Sequence, residues 1–147
     1  MMRVTLLICV AIFCMSFTNW HKSMDEAKML AQKEHKHILL NFSGSDWCGP
    51  CIRLHKEIFD SEAFQQFAET NLVLVNADFP RLKKNQLSVS QQKINDAIAD
   101  RYNSKGSFPF TVLLNENGKV LKQWEGFPKM TPDEFVDDVR TIIDADK

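Results

Sequence analysis

Apolar residues in this chain fall into short continuous runs, separated by stretches in which they recur at helical spacing. His37–Ser43 (His-Ile-Leu-Leu-Asn-Phe-Ser) and Leu72-Val73-Leu74-Val75 are runs of the buried-strand kind, continuous rather than alternating. Before the first of them, Ser23-Met24-Asp25-Glu26 has capping-box spacing, and Ala27, Leu30 and Ala31 follow at helical intervals, predicting a helix over 23–35. A second helix is predicted over 49–59. Asp60-Ser61 then supplies a new cap for a short helix striped by Phe64, Phe67 and Ala68.

The stretch from Phe79 to about Leu87, with Pro80 and three basic residues, reads as irregular, and the segment around 79–92 as an insertion, a solvated loop with a substrate-selecting lip as the alternative. Ser88 and Ser90 are candidate caps for a helix whose stripe is Ile94, Ala97, Ile98 and Tyr102. Phe110–Leu114 and Val120–Trp124 form a hairpin across Asn115–Lys119, where Asn117-Gly118 suits positive φ. Thr131, Pro132 and Glu134 start a last helix that turns Phe135, Val139, Ile142 and Ile143 to the sheet. Strands alternating with helices, then a hairpin and a closing helix, give an α/β sandwich around a mixed sheet.

The N-terminus is compositionally separate. Met1-Met2-Arg3 is followed by the mostly apolar run Val4–Phe17 and then by polar Thr18-Asn19, the pattern of a secretory signal. The run is shorter than the ~20 residues of a spanning helix, so a signal over 1–18 is expected, with a retained anchor as the alternative and one domain over 19–147. Of the 4 cysteines, Cys9 and Cys14 would leave with the leader, and only Cys48 and Cys51 would remain. An exported chain without spare cysteines has no disulfide framework, so its one pair is expected to be chemical. The formal net charge of −1, with acids and bases interspersed, gives no basic stripe for nucleic acid.

Trp47-Cys48-Gly49-Pro50-Cys51 lies between a predicted strand and a predicted helix. Two intervening residues let the thiols meet at disulfide distance, and the helix N-terminus favours thiolate on the first sulfur. A static bridge enclosing only Gly-Pro would remove little unfolded-state entropy. Cys48 is therefore expected to face solvent and attack a substrate disulfide, and Cys51, one turn in, to resolve the mixed disulfide. Pro50 sets φ at the helix start, and Gly49 leaves room for a partner's backbone.

At these residues the chain resembles the thioredoxin family, whose active-site string is Trp-Cys-Gly-Pro-Cys. Phe108-Pro109, ahead of Phe110–Leu114, matches the place where that family has a cis-proline beside the active site. The resemblance covers about 20–147. It implies the thioredoxin fold, a central mixed sheet flanked by helices, with one extra N-terminal helix. It also implies a thiol–disulfide oxidoreductase outside the cytoplasm, on the reducing or isomerising side. Protein thiols and disulfides are its substrates and a membrane thiol electron donor its implied partner. The redox-active Cys48–Cys51 pair serves without a further cofactor. Substrate contacts carry over to Trp47, Gly49, Pro50, Phe108, Pro109 and Gly126. Phe108 stands where smaller or β-branched residues are more usual, which bears on substrate preference.

Asn41 departs from the family. A buried Asp often precedes the strand's Phe there and takes the proton of the second cysteine; an accompanying Lys has no match in Leu72–Val75. Asn cannot take a proton near neutrality, so water, Asp46 or Glu57 would have to assist. A second reading comes from Cys48, Cys51 and His55, spaced C-x-x-C-x-x-x-H, which could hold zinc or copper. Otherwise His55 is a surface histidine.

Overall fold

The computed structural model describes residues 18–147; the expected leader lies outside them, apart from Thr18. Among the described residues the elements run, in sequence order, from β1 (Trp20–His21), α1 (Met24–Glu34), β2 (His37–Ser43) and α2 (Gly49–Leu54), the last continuing into a π-helical turn at His55–Phe59. After them come α3 (Glu62–Asn71), β3 (Leu72–Asp78), a 3-10 turn at Lys83–Asn85, α4 (Val89–Tyr102), β4 (Phe110–Leu114), β5 (Val120–Glu125) and α5 (Pro132–Ala145). The sheet has 5 strands in the order β1-β3-β2-β4-β5. The first three are parallel, and β4 and β5 join antiparallel.

Both faces of the sheet are covered, which is why β2 and β3 are apolar almost throughout. Leu39, Leu74 and Leu113 point to the side of α3 and α5, where they join Phe59, Phe64, Phe135 and Val139. Ile38, Leu40, Phe42, Val73, Val75 and Val112 point the other way, to Ala27 and Ala31 of α1 and Ile98 and Tyr102 of α4. The first face also carries the polar residues Asn41, Asn76 and Thr111 at one level, because Asn41 is in register with Asn76 on β3 and with Thr111 on β4.

Several elements differ from the sequence expectation. A two-residue strand precedes α1 and pairs with Leu74 and Val75, so the N-terminal helix is not the first element. Strand β3 runs three residues past Val75, since Asn76, Ala77 and Asp78 still pair with β2. The expected helix over 49–59 divides at His55, and Asp60 N–H closes the wider turn on the His55 carbonyl at 2.8 Å. On α4 the buried positions are Asn95, Ile98 and Tyr102, whereas Ile94 is 39% exposed and Ala97 is exposed. Asn95 turns inward because its side chain donates to the Asp78 carbonyl (2.7 Å) and accepts from Gln91 (2.8 Å). Ser88 alone caps that helix through its hydroxyl, 3.2 Å from Gln91 N–H. In the hairpin Gly118, not Asn117, takes the positive φ, at 82°.

The expected solvated loop over 79–87 is held down. Asp46 accepts from the N–H groups of Arg81 (2.9 Å) and Leu82 (3.0 Å) and from the Asn85 amide (3.0 Å). These bonds, the Arg81 N–H first, hold the Asp46 carboxyl below the usual carboxylate range.

Two outcomes test this account. Thr131 and Glu134 form a reciprocal capping box on α5, so Thr131→Ala should lower stability by about 1 kcal/mol in urea unfolding. A carboxyl with a depressed folded-state value stabilises above its unfolded value and loses that contribution as pH falls through the folded one. Amide protection factors at Arg81 and Leu82, with each rate taken relative to the intrinsic rate at the same pH, should therefore be high at neutral pH and fall in acid. In Asp46→Ala they should be low throughout, with the global unfolding midpoint little moved.

Candidate active site

Strand β2 ends at Ser43, and the chain turns through Gly44 into α2. The N–H groups of Trp47 (3.2 Å) and Cys48 (2.9 Å) return to the Gly44 carbonyl, and Asp78 holds Ser45 through its N–H (2.9 Å) and hydroxyl (2.6 Å). The turn is backed by the Trp47 indole, which occupies the space a Cβ on Gly44 would need. Cys48 is the N-cap of α2, and its Sγ accepts from Cys51 N–H at 3.3 Å. Pro50 sits in the first turn, where its lack of an N–H costs nothing.

Cys48 and Cys51 are joined as a disulfide, with Cα atoms 5.2 Å apart. Cys51 is fully buried. Cys48 is the more open of the two but only 5% exposed, less than its position before the helix suggests. Its neighbours Gly49 and Pro50 are exposed, and a Cβ on Gly49 would meet nothing within 4 Å. The chain itself does not require glycine there; the open space is on the outside.

The Phe108–Pro109 peptide bond is cis, as the resemblance implies. Two groups fix this edge. Gly126, at φ 75°, donates its N–H to the Pro109 carbonyl at 2.9 Å. The buried Asn103 side chain donates to the Ser107 carbonyl (2.9 Å) and accepts from Ser107 N–H (3.0 Å). Phe108 then lies between two aromatic rings, Trp47 and Phe79, each T-shaped to it at 5.5 Å. Trp47 donates its indole N–H to the Phe79 carbonyl (2.7 Å), and the Arg81 guanidinium covers its ring at 3.6 Å. The rim is one connected assembly of Trp47, Phe79, Arg81 and Phe108.

Against the C-terminal end of α2 lies the polar row of the sheet. Asn41 is fully buried; it accepts from the Thr111 hydroxyl (3.1 Å), and its amide nitrogen donates to Asn76 Oδ1 (3.0 Å). The same nitrogen lies 3.3 Å from His55 Nε2. Asn76, an uncharged residue, is the partner of Asn41 on β3. His55 is partly buried, with its ring 5.2 Å from those of Trp20 and Phe59. Burial pushes its imidazole below the ordinary histidine value, against opposing contributions from Asp60, Asn76 and Asp78.

These placements correct one expectation: His55 is not a surface histidine, and its ring is engaged with Asn41 and two aromatics. Among the described residues no group of three His, Cys, Asp or Glu side chains is placed to hold a metal ion, and Cys48 and Cys51 are joined to each other. Asp46 binds the loop at Arg81, and Glu57 pairs with Arg53 on the surface at 2.9 Å. Asn76, Phe79, Arg81, Asn103 and Thr111 were not singled out in the sequence. Only the strand register and the loop's docking bring them to the site.

Comparison with known proteins agrees with this geometry. The family model of the thioredoxin-like domain matches residues 24–141. The chain is 34% identical over 122 residues to the disulfide bond reductase DsbH of Chlamydia pneumoniae, covering 83% of this chain and 71% of that protein. It is 24% identical over 127 residues to the thioredoxin-related protein DsbJ of the same organism, and there spans 86% of this chain but only 36% of the relative. A solved structure of a DsbH oxidoreductase superposes with a TM-score of 0.79 at 30% identity, over 97% of this chain and 95% of that one. With its paired cysteines at the head of α2 and its match across most of the family model, this chain belongs to the thioredoxin-like family and is a protein disulfide oxidoreductase.

Proposed function

We propose that the chain reduces disulfides of protein clients outside the cytoplasm, with Cys48 as the attacking thiol and Cys51 as the resolving one. The observation that carries this reading is the Cys48–Cys51 disulfide at the N-terminus of α2, with Cys48 more open than the fully buried Cys51. Similarity to a protein named a disulfide bond reductase supports the reducing direction. The apolar leader at the start of the sequence supports export.

In the reduced enzyme the Cys48 thiolate, stabilised by the Cys51 N–H, attacks one sulfur of the client disulfide and expels the other as a thiolate. The mixed disulfide so formed is attacked at Cys48 Sγ by the Cys51 thiolate. The second client sulfur then leaves, the client has gained two electrons, and the pair is oxidised. The client segment lies extended along the cis-Pro109 edge, as an added short strand. Open space above Gly49 and Gly126 leaves room for its backbone, and Trp47 and Phe108 form the wall it meets. Outside the cytoplasm the oxidised pair needs electrons from across the membrane, so a membrane thiol donor is the implied partner.

Turbidimetric insulin reduction should be lost in Cys48→Ser. Cys51→Ser should retain attack and accumulate client mixed disulfides that thiol reductants release. Failure of Cys51→Ser to trap any client would contradict the assigned order. Equilibration with glutathione should give a potential near the thioredoxin value of about −270 mV; one near about −120 mV would reverse the direction of flow.

A further inference from the structure

We propose that Arg81 is a specificity-determining residue of the client edge, selecting protein clients that carry a carboxylate side chain next to the disulfide. This names the client class of the exchange proposed above and rests on that reading.

The guanidinium carbon of Arg81 is 3.6 Å from the centre of the Trp47 ring. Planar groups that close lie nearly flat on one another, because an edge-on guanidinium would drive a nitrogen into the indole. Stacking occupies the face of the guanidinium and leaves its edge free, and the edge is where its N–H donors lie. Among the described residues nothing accepts from those donors. The hydrogen bond that Arg81 makes comes from its backbone N–H, and its exposed side chain joins no ion pair there.

Arg53 shows the same arrangement with its edge filled. Its guanidinium lies over Phe127, the residue after Gly126, at 4.4 Å. Its Nε and Nη2 donate to the two Glu57 oxygens at 2.9 and 3.2 Å. A planar fork of this kind matches a carboxylate through two parallel bonds. Arg81 has the stacking partner and lacks the carboxylate.

The position of that edge is set before any client arrives. One Asp46 oxygen accepts from Arg81 N–H, and the other from Leu82 N–H and the Asn85 amide. Trp47 ties its indole N–H to the Phe79 carbonyl and fills the space beside Gly44, with Phe108 T-shaped to its ring. Donors held in this way lose less freedom on binding than those of an unrestrained surface arginine.

Local charge has the same sign. Residues 79–87, Phe-Pro-Arg-Leu-Lys-Lys-Asn-Gln-Leu, include three basic side chains and no acidic one, in a chain whose net charge is −1. Asp46 is the carboxylate bonded to the segment, and its oxygens are spent on N–H groups there. Trp47 precedes Cys48, and its ring meets Phe108, the residue before cis-Pro109. A client extended along that edge with its sulfur at Cys48 therefore passes the Trp47–Arg81 stack close to its own cysteine. A Glu or Asp side chain at that point gains a charge-assisted pair, and a Lys meets like charge.

Synthetic peptides closed by one disulfide, identical except for Glu, Gln or Lys beside both cysteines, test this with the reduced full chain. Second-order reduction rates are read by rapid quench. Each is divided by the rate with mercaptoethanol, which removes the intrinsic reactivity of that disulfide. The wild-type Glu-to-Gln ratio should be about fivefold, the upper end for an exposed ion pair, and should shrink in about 1 M salt. In Arg81→Gln the ratio should fall to about one, and Arg81→Glu should favour the Lys peptide. Arg81→Lys, which keeps the charge but not the planar fork, should retain part of the preference. A loosened rim would slow all three peptides alike, so the ratios separate recognition from a structural role. A wild-type ratio near one, or a ratio that persists unchanged in Arg81→Gln and Arg81→Glu, would overturn the proposal. Failure of the wild type to reduce any of the three peptides would instead refute the exchange reading itself, and the selection with it.

Discussion

The middle of the sheet contains an amide that water does not reach, and much of the site follows from satisfying it. Asn41 lies at zero exposure on β2, with His55 at the end of the cysteine helix against it. A buried polar group left without a partner costs about 1–3 kcal/mol, so its oxygen and both its N–H hydrogens need partners. Thr111 and Asn76 supply two of them from adjacent strands, in the same register row. The third comes from above, from His55, and fixes the helix on the sheet at that level. Among the described residues no buried side-chain nitrogen or oxygen lacks a partner.

The rim is made differently. Below the cysteines the packing is side chain on strand; around them, loops are tied to one another through backbone groups. Asp46 binds two N–H groups of the 79–87 segment, Trp47 binds the Phe79 carbonyl, Gly126 binds the Pro109 carbonyl and Asn103 binds Ser107. Four chain segments distant in sequence are thereby held around one sulfur pair. Such an edge meets an extended peptide without first being ordered, and ordering costs reduce affinity when they are paid on binding. Phe108 belongs to this assembly, since its ring fits between Trp47 and Phe79. Its large ring lies between one aromatic from the cysteine turn, Trp47, and one from the start of the 79–87 segment, Phe79.

Features governed by local rules were legible in the sequence. The C-x-x-C string, the Phe-Pro before an apolar run, the box at Thr131–Glu134 and the glycine at 118 each depend on a few neighbouring residues. The buried face of α4 was not legible, because Asn95 points inward to cap the end of β3 and displaces Ile94 from the stripe. Strand β1 has two residues, too few for alternation to show. The division of the cysteine helix at His55 has no local signature either. It makes sense only once Trp20, Asn41 and Phe59 are seen around the ring. His55 was visible as a spacing, but its partners come from three strands whose register a sequence does not display.

A neutral floor has an electrostatic consequence. A carboxylate in this place would put a charge under the cysteines, and a lysine beside it would be needed to offset the desolvation. Asn41, Asn76 and Thr111 carry no charge and take no proton, so the sulfurs change redox state above a surface of fixed dipoles. His55, the titratable ring against this row, is pushed below the ordinary histidine value by burial and stands uncharged at neutral pH, so the row stays neutral there.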